Sequence, residues 1–530
     1  MDLAAILEAL ARPQAYPHAV DRVEVRHTHI SAVFLAGPYA YKIKKPLDLG
    51  FLDFTTLEKR RHFCLEEVRL NRRLAPGVYL GVVPIALGRG RVQVEGEGEV
   101  LEWAVWMARL PEDATLARRL ARGELDKGIF GALARRVAEF HACAEAGEAV
   151  SRYGRWEVVA RNARENLEQA APHAGTTVSP TVLQRLRDRT EASLEHLKPV
   201  IESRARRGVP RDTHGDLHLD HIYTLSDRPE PGDLLIVDCI EFNERFRFAD
   251  PVADMAFLAM DLKFQGRRDL AQTFADGYFE ASGDEEGRLL LPFYTAYRAA
   301  VRGKVEGFEV FETEVPGPER LAARDRARAH WLVAVGELEE PVRKPCLVLV
   351  GGLPGTGKSS IARGLSREAG FVHVSSDVIR KELAGLPTAA SAAGPFGEGI
   401  YTPEWTDRTY AECLRRAEEF LFQGERVIVD ANFRAEARRK PFLDAALRWG
   451  VPGLFLLRTA DPREVLRRLE RRKGDASDAD WAVYLRAAAA WEEPAPETRK
   501  ALRAIPMAET KKDALDKALA VLAAEGLWAD

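Results

Sequence analysis

The residues of this chain whose types and spacing could do chemistry fall into two groups. In HGDLHLDHI, residues 214–222, Asp216 follows a histidine and a glycine, and Asp238 ends the apolar run LLIVD about 20 residues later. Phosphoryl transfer needs such a pair: one carboxylate orients the attacking hydroxyl and takes its proton, while the other holds the ion that bridges the phosphates. Asp216 is therefore the candidate base and Asp238 the candidate Mg²⁺ ligand. Either alone would read as a loop cap, so it is their order and separation that carry the reading.

The second group is GLPGTGKS, residues 352–359, a full match to G-x-x-x-x-G-K-[ST] between an apolar strand, CLVLVGG, and a helical segment. Glycines in this pattern let backbone N–H groups close around phosphate oxygens at a helix N-terminus. Gly352, Gly355, Thr356, Gly357, Lys358, Ser359 and Ser360 form the expected ATP or GTP cradle, with Lys358 on the outer phosphates and the Ser359 hydroxyl on Mg²⁺. Asp430, at the end of RVIVD, stands where a second metal-site carboxylate belongs. Asp377, after the strand FVHVSS, is the candidate base for an acceptor hydroxyl, and Arg380 one turn on is the candidate grip for an anionic substrate. The competing reading makes Asp377 an N-cap and Arg380 a solvated charge. Arg467, Arg468, Arg471 and Arg472 make a dense cationic helix before KGDASDAD; Arg467 and Arg471 are the candidate lid residues over the transferring phosphoryl group, against a plain solvated face.

The first site needs elements to carry its other parts. Residues 23–47 read as a short antiparallel meander broken at His27 to His29 and at Gly37-Pro38, and its last strand ends in YAYK. Lys42 there is the candidate phosphate partner, with Lys44 on the same strand face. The charged helix that follows, expected to stop at Pro76-Gly77, aligns Phe63, Glu67, Leu70 and Leu74; a carboxylate in an apolar stripe needs a cation, and Lys42 is the choice, with Glu66 as the substitute for Glu67. Two more strand-like stretches, YLGVVPIAL and VLEWAVWMARLP, complete a small sheet. Around Met107 to Leu110 the chain reads as a hinge whose backbone could hold adenine. His141 reads as a packed helix residue.

These parts imply a multidomain α+β and α/β chain. Residues 1–110 form a small antiparallel-sheet lobe and 111–337 a mainly helical lobe carrying the catalytic loop; 338–345 are a linker, and 346–530 form a parallel-sheet P-loop domain with helices from GLFLLRT to the end. At 530 residues two or three cores are expected. With 46% hydrophobic and 30% charged residues the chain is not disordered or fibrous, and a net charge of −4 advertises no overall attraction to nucleic acid or anionic membrane. Five scattered cysteines with no C-x-x-C pair argue against a disulfide framework or a zinc site and fit a reducing cytoplasm. No apolar run approaches the roughly 18 residues a membrane span needs, and the amino terminus carries Asp2, Glu8 and Arg12 where a signal peptide would be apolar.

Residues 344–530 resemble P-loop kinases of the polynucleotide kinase, gluconate kinase and zeta-toxin type, through GLPGTGKSS, the Asp377/Arg380 pair and the arginine-rich helix. That resemblance implies ATP-dependent phosphorylation of a small molecule or of a nucleic-acid 5′-hydroxyl. Residues from about 20 to 310 resemble the aminoglycoside phosphotransferase and choline kinase family: His214 to His218 match H-G-D-L-H, Asp238 the metal aspartate, and Asp250, Pro251 and Asp254 the trailing D-P-x-x-D. It implies a two-lobed protein-kinase-like fold, a small-molecule acceptor, and Lys42 and Glu67 positioning ATP. Together they resemble bacterial proteins in which such a domain is fused to a P-loop kinase. The departure is His221, where the family pattern has a metal-binding asparagine, and imidazole suits hard Mg²⁺ poorly. Either His221 ligates another ion, or the half acts with one metal, or Asp220 or Glu241 supplies the missing oxygen, or the half binds nucleotide without transfer, leaving a nucleotide-regulated binding protein.

Overall fold

The computed structural model describes residues 2–88, 90–225, 233–312, 315–387, 399–471, 481–507 and 510–529, and the side chain of Arg471 is not among the described atoms. The chain forms two compact units: Met1–Val159 with Leu197–Leu262 and Arg268–Leu291, and Ala160–His196 with Lys263–Arg267 and Pro292–Asp530.

In the first unit six antiparallel strands lie in the order Val23–His27, Ser31–Ala36, Tyr39–Lys44, Glu99–Ala108, Tyr79–Gly88, Arg91–Val94. β-Branched and aromatic residues alternate along them, and one face closes on a core of Phe34, Tyr41, Ile43, Ile85, Val94 and Ala104. The helix Leu3–Leu10 packs on that core through Ile6 and Leu10. It was not expected from the sequence. On the other face the helix Leu57–Asn71, capped by the Thr56 hydroxyl accepting from Lys59 N–H, buries Cys64, Glu67, Val68 and Asn71. It ends before Pro76: Arg73, Leu74 and Ala75 continue in turn hydrogen bonds to Leu70 and Asn71 carbonyls. Helices, among them Lys127–Cys143, Pro251–Phe264 and Arg268–Ser282, build the rest.

Strand alternation sends Lys42 and Lys44 to the helix side of the sheet, and the helix answers with Glu67. Lys44 is fully buried and pairs with Glu67 at 2.7 Å and with Glu241. Burial works against its ammonium, yet the two carboxylates outweigh it and hold the Lys44 pKa above the ordinary lysine value.

The second unit contains a five-stranded parallel sheet in the order Val372–Ser375, Arg426–Asp430, Cys346–Gly351, Gly453–Thr459, Leu502–Pro506. Its central strand, CLVLVG, is buried along its whole length, as a strand covered by helices on both faces must be. Helices Lys358–Glu368, Pro403–Phe422, Glu436–Arg448 and Lys511–Ala524 cover it. The expectation of helices to the end is corrected at Leu502–Pro506, an edge strand. Its five residues include Arg503 and end in proline, so no apolar run announced it, and an edge position tolerates both. No helix among the described residues is long and apolar enough to cross a membrane.

Replacing Lys44 by methionine leaves Glu241 and one Glu67 oxygen buried without their cation, and urea unfolding is expected to show a loss of about 3–5 kcal/mol. Lys59→Met, which breaks a pair with Asp53 whose side chains are 45% and 42% exposed, is expected to cost less than about 1 kcal/mol. Equal losses for the two variants would contradict this account.

Candidate nucleotide sites

The loop 214–222 is held by its backbone. Asp254, buried in the helix Pro251–Phe264, accepts from the His214 N–H at 3.1 Å and the Gly215 N–H at 2.8 Å, and Asp261 accepts from the Leu219 N–H at 2.9 Å. Gly215 sits at φ +88°, and a Cβ there would meet the Phe246 carbonyl oxygen at 3.0 Å. His214 donates from Nε2 to the Val237 carbonyl at 2.9 Å, and its Nδ1 accepts from the Asp216 N–H at 3.2 Å. One bond needs a proton and the other a lone pair, so the ring is neutral and its tautomer is set. Burial pushes its pKa down to about 4. Asp250, the other aspartate of D-P-x-x-D, is gripped through both oxygens by Arg204, at 2.6 and 3.0 Å.

This frame brings the candidate residues of the first unit together. Lys42 Nζ lies 2.6 Å from Asp238 Oδ1 and 2.9 Å from Glu67 Oε1. Burial pushes the Asp238 carboxyl up, but the Lys42 ammonium outweighs it and holds the group ionised well below the carboxylate range. Asp238 adopts φ +63°, a conformation a non-glycine residue keeps only where surroundings over-determine it. Its N–H donates to the Tyr79 hydroxyl at 3.1 Å, and the next N–H, of Cys239, donates to Asn71 at 2.9 Å. Tyr79 and Asn71 escaped sequence reasoning because they are distant in the chain. Glu66 pairs with Arg69 on the helix surface, away from the lysines. Glu241 is engaged by Lys44, and Asp220 is exposed.

His221 Nε2 is 3.5 Å from Asp238 Oδ2, and His221 Nδ1 is 3.6 Å from Asp216 Oδ2. Burial and the neighbouring His218 hold its pKa below the ordinary histidine value. Met107 is paired within the sheet opposite Ala40 and Tyr79, and the N–H groups of Ala108 and Arg109 donate to Val78 and Pro38 carbonyls. The side chains of Met107 and Leu110 pack beside Val68 and Val105.

In the second unit the phosphate loop has the backbone its glycines allow, with φ of +143°, +79° and +90° at Gly352, Gly355 and Gly357. A Cβ on Gly352 would stand 2.5 Å from the Arg458 carbonyl oxygen. Buried Arg458 braces the turn, donating to the Thr356 carbonyl at 3.1 Å, while Thr356 Oγ1 donates to the Leu353 carbonyl at 2.8 Å. Lys358, Ser359 and Ser360 open the helix behind it. Asp430 is buried at its strand end with Oδ1 unpartnered, and its Oδ2 lies 3.6 Å from His373 Nε2.

A cavity of about 350 Å³ opens beside this loop, walled by Ser359, Asp377, His373, Arg363, Arg416 and Phe420 among others. Asp377 lines it half-buried, and desolvation raises its pKa although Lys358 works the other way. Arg380 is not among the lining residues. Its guanidinium donates to the Ile400 carbonyl at 2.8 Å and to Thr406 Oγ1 at 3.3 Å, 5.1 Å over the Tyr401 ring, so the arginines facing the cavity are Arg363 and Arg416. Arg467 is 64% exposed and pairs with Glu464 at 3.3 Å. Arg468 is the one near the loop, 3.5 Å from where a Cβ on Gly357 would sit. Arg471 ends the helix Pro462–Arg471, and Arg472 lies outside the described residues.

A family model described as an AAA domain matches residues 347–494. The chain is 35% identical over 422 residues to the uncharacterized protein Rv2004c of Mycobacterium tuberculosis (strain ATCC 25618 / H37Rv), spanning 79% of this chain and 80% of that one. It belongs to the same family as that mycobacterial protein. Among solved structures, it is similar to a gluconokinase from Sinorhizobium meliloti 1021, at 19% identity over 34% of this chain and 93% of the other, with a TM-score of 0.26. It is also similar to amicoumacin kinase hAmiN in complex with AMP-PNP, Ca²⁺ and Ami, at 13% identity over 62% and 93%, with a TM-score of 0.38.

The neutral state of His214 makes the first unit acid-sensitive. The unfolded chain binds this proton near pH 6.5 and the folded loop only near 4, so stability is complete above about 6.5 and is lost as pH falls toward 4. At roughly 1.36 kcal/mol per pH unit, urea unfolding at pH 4.5 is expected to show a loss of about 2–3 kcal/mol from this group. His214→Gln, which titrates nothing there, flattens that segment whatever its baseline stability; an unchanged slope would assign the acid sensitivity elsewhere.

Proposed function

We propose that the chain is a tandem phosphotransferase, each half transferring the γ-phosphate of ATP or GTP to a hydroxyl acceptor. The observation that carries the reading is Asp377: a desolvated carboxyl in the same cavity as Ser359 and within the electrostatic reach of Lys358. A base whose pKa is raised above the ordinary aspartate value and which shares a cavity with the metal-binding hydroxyl is what hydroxyl activation requires. Ser359 and Asp430 would hold Mg²⁺, which when bound neutralises phosphate charge, and Arg468, with Arg467 and Arg471 of the same helix, would cover the nucleotide. The cavity's volume and its arginines suit a small polar or anionic acceptor held by Arg363 and Arg416, with Arg380 acting from behind through the segment at Ile400 and Thr406.

In the first half Lys42, positioned by Glu67, would take the phosphates, Asp238 the ion and Asp216 the acceptor proton, with Met107 and Leu110 walling the base. Lys42 exchanges Asp238 for phosphate when nucleotide enters. His221 favours a second reading for this half, a nucleotide-binding regulator with no transfer of its own. A 5′-hydroxyl oligonucleotide remains a candidate acceptor for the P-loop half because Arg363 could meet its phosphate.

Calorimetry on the intact chain with Mg²⁺ and a non-hydrolysable ATP analogue is expected to resolve two sites, with Lys358→Ala removing one and Lys42→Ala the other. With ATP and a panel of sugars, aminoglycosides, choline and 5′-hydroxyl oligonucleotides, Asp377→Asn is expected to lower transfer by about 10²–10⁴ while nucleotide affinity holds. Uptake indifferent to both lysines, or full activity in Asp377→Asn, would defeat the proposal.

A further inference from the structure

The loop of the first unit gathers more nitrogen than a magnesium site can use. His218 Nε2 stands 3.5 Å from Asp216 Oδ2, and His221 Nε2 stands 3.5 Å from Asp238 Oδ2. One ligand atom each from Asp216, His218 and His221 can be chosen with all of them within 4.8 Å of one another. Donors about 2.0–2.2 Å from a shared tetrahedral ion lie roughly 3.5 Å apart, so small side-chain rotations would close this set.

The His221 ring is oriented as a ligand is. His221 Nδ1 lies 3.0 Å from the Asp216 carbonyl, which can only accept; Nδ1 therefore carries the proton and Nε2 turns its lone pair toward Asp238. A hydrogen bond from the far ring nitrogen to a backbone carbonyl is the outer-sphere contact that fixes a metal-bound imidazole. His218 is wedged between the His221 ring, at 3.8 Å, and the edge of Phe257, at 5.7 Å. Both histidines are largely buried, at 12% and 18% side-chain exposure, while Asp216 and Asp238 at 32% and 42% keep the centre open to entry. Lys42 occupies the other Asp238 oxygen, at 2.6 Å.

Magnesium demands near-octahedral oxygen ligands and keeps several waters, and two imidazoles match neither requirement. We infer that Asp216, His218 and His221, with Asp238 beside His221 Nε2, form a site for a divalent transition-metal ion of the zinc class, in place of the magnesium site this position would otherwise hold. Two imidazoles with two carboxylates are the donors such ions select. The inference rests on the nucleotide reading of the first half only for what the ion would serve, since binding of the ion needs no nucleotide. While the ion is held, the Asp216 oxygen that faces His218 is a ligand and not a proton acceptor, so occupancy and base action compete for one carboxylate.

The test is a cobalt titration of the full chain without nucleotide, followed by visible absorption. Co²⁺ is expected to give stoichiometric d–d bands that excess Mg²⁺ leaves in place and Zn²⁺ abolishes. His221→Asn and, separately, His218→Gln are expected to weaken Co²⁺ more than about 100-fold, beyond what losing an outer contact costs, with the urea midpoint preserved. His373→Ala, which alters the histidine–aspartate pair at Asp430, leaves the bands. Absent bands, bands that survive both loop variants, or bands lost in His373→Ala would overturn the site. Lys42-dependent uptake of the ATP analogue is scored in the same preparations: uptake without bands refutes the ion alone, and bands without uptake support the ion and refute the nucleotide reading of this half.

Discussion

The first unit is organised by the requirement that buried charge be paired. Lys44, Glu67 and Glu241 are buried together and Lys42 links them to the more open Asp238, three carboxylates against two ammoniums. Removing ions from water costs several kcal/mol each, and only close mutual geometry offsets it. That geometry fixes three elements at once: the strand carrying the lysines, the helix carrying Glu67, and the segment after Leu234–Ile236 carrying Asp238 and Glu241. The surplus negative charge shows at Glu241, whose carboxyl burial pushes up in spite of Lys44. Glu67, between two ammoniums, stays below its ordinary value although burial opposes it. A cationic ligand or a metal ion entering beside Asp238 would meet a region already short of positive charge, while a phosphate must first draw Lys42 away.

The second unit solves its version of the problem with backbone. Its loop needs no buried ion pair, because a nucleotide's phosphates would be met by N–H groups at a helix N-terminus held open by left-handed glycines and braced by Arg458. Charge near the loop lies in Lys358 and the half-buried Asp377, in buried Asp430, and in Arg458 beneath the turn. The unpartnered Oδ1 of Asp430 is an expense a buried carboxylate bears where a ligand is to supply the partner. The two units thus reach a similar chemical demand by different routes, one by a charge network that crosses three elements and one by a local turn.

That difference decides what could be read from the sequence. The phosphate loop was legible because all its information lies within eight residues and its flanks. Lys42 and Glu67 were legible because strand and helix periods place them, and Asp216 and Asp238 because their order is informative. Lys44 was seen on the right face, but its partner Glu241 could not be, since no period links residues so far apart. The same holds for His373 beside Asp430, for Arg458 under the loop, and for Arg363 and Arg416 in the cavity: each is brought in by sheet order and helix packing. Among the dense arginines, composition alone could not tell Arg468, which turns toward Gly357, from Arg467, which faces water.

His141 shows how much a packed histidine can do. The sequence suggested no more than a core residue of the helix Lys127–Cys143, and it is buried. Its Nε2 faces Asp254 Oδ2 at 3.0 Å, and Nδ1 meets the Tyr278 hydroxyl at 2.9 Å. Asp254 thus gathers the His141 ring and the His214 and Gly215 amides around one carboxylate. Without those donors a buried carboxylate would be protonated or expelled, and with them it ties the loop 214–222 to the helix Pro251–Phe264. The loop's left-handed glycine, its neutral His214 and the direction of Asp216 all hang from that anchor, so the placement of the candidate base is a property of the helical core and not of the loop's own sequence.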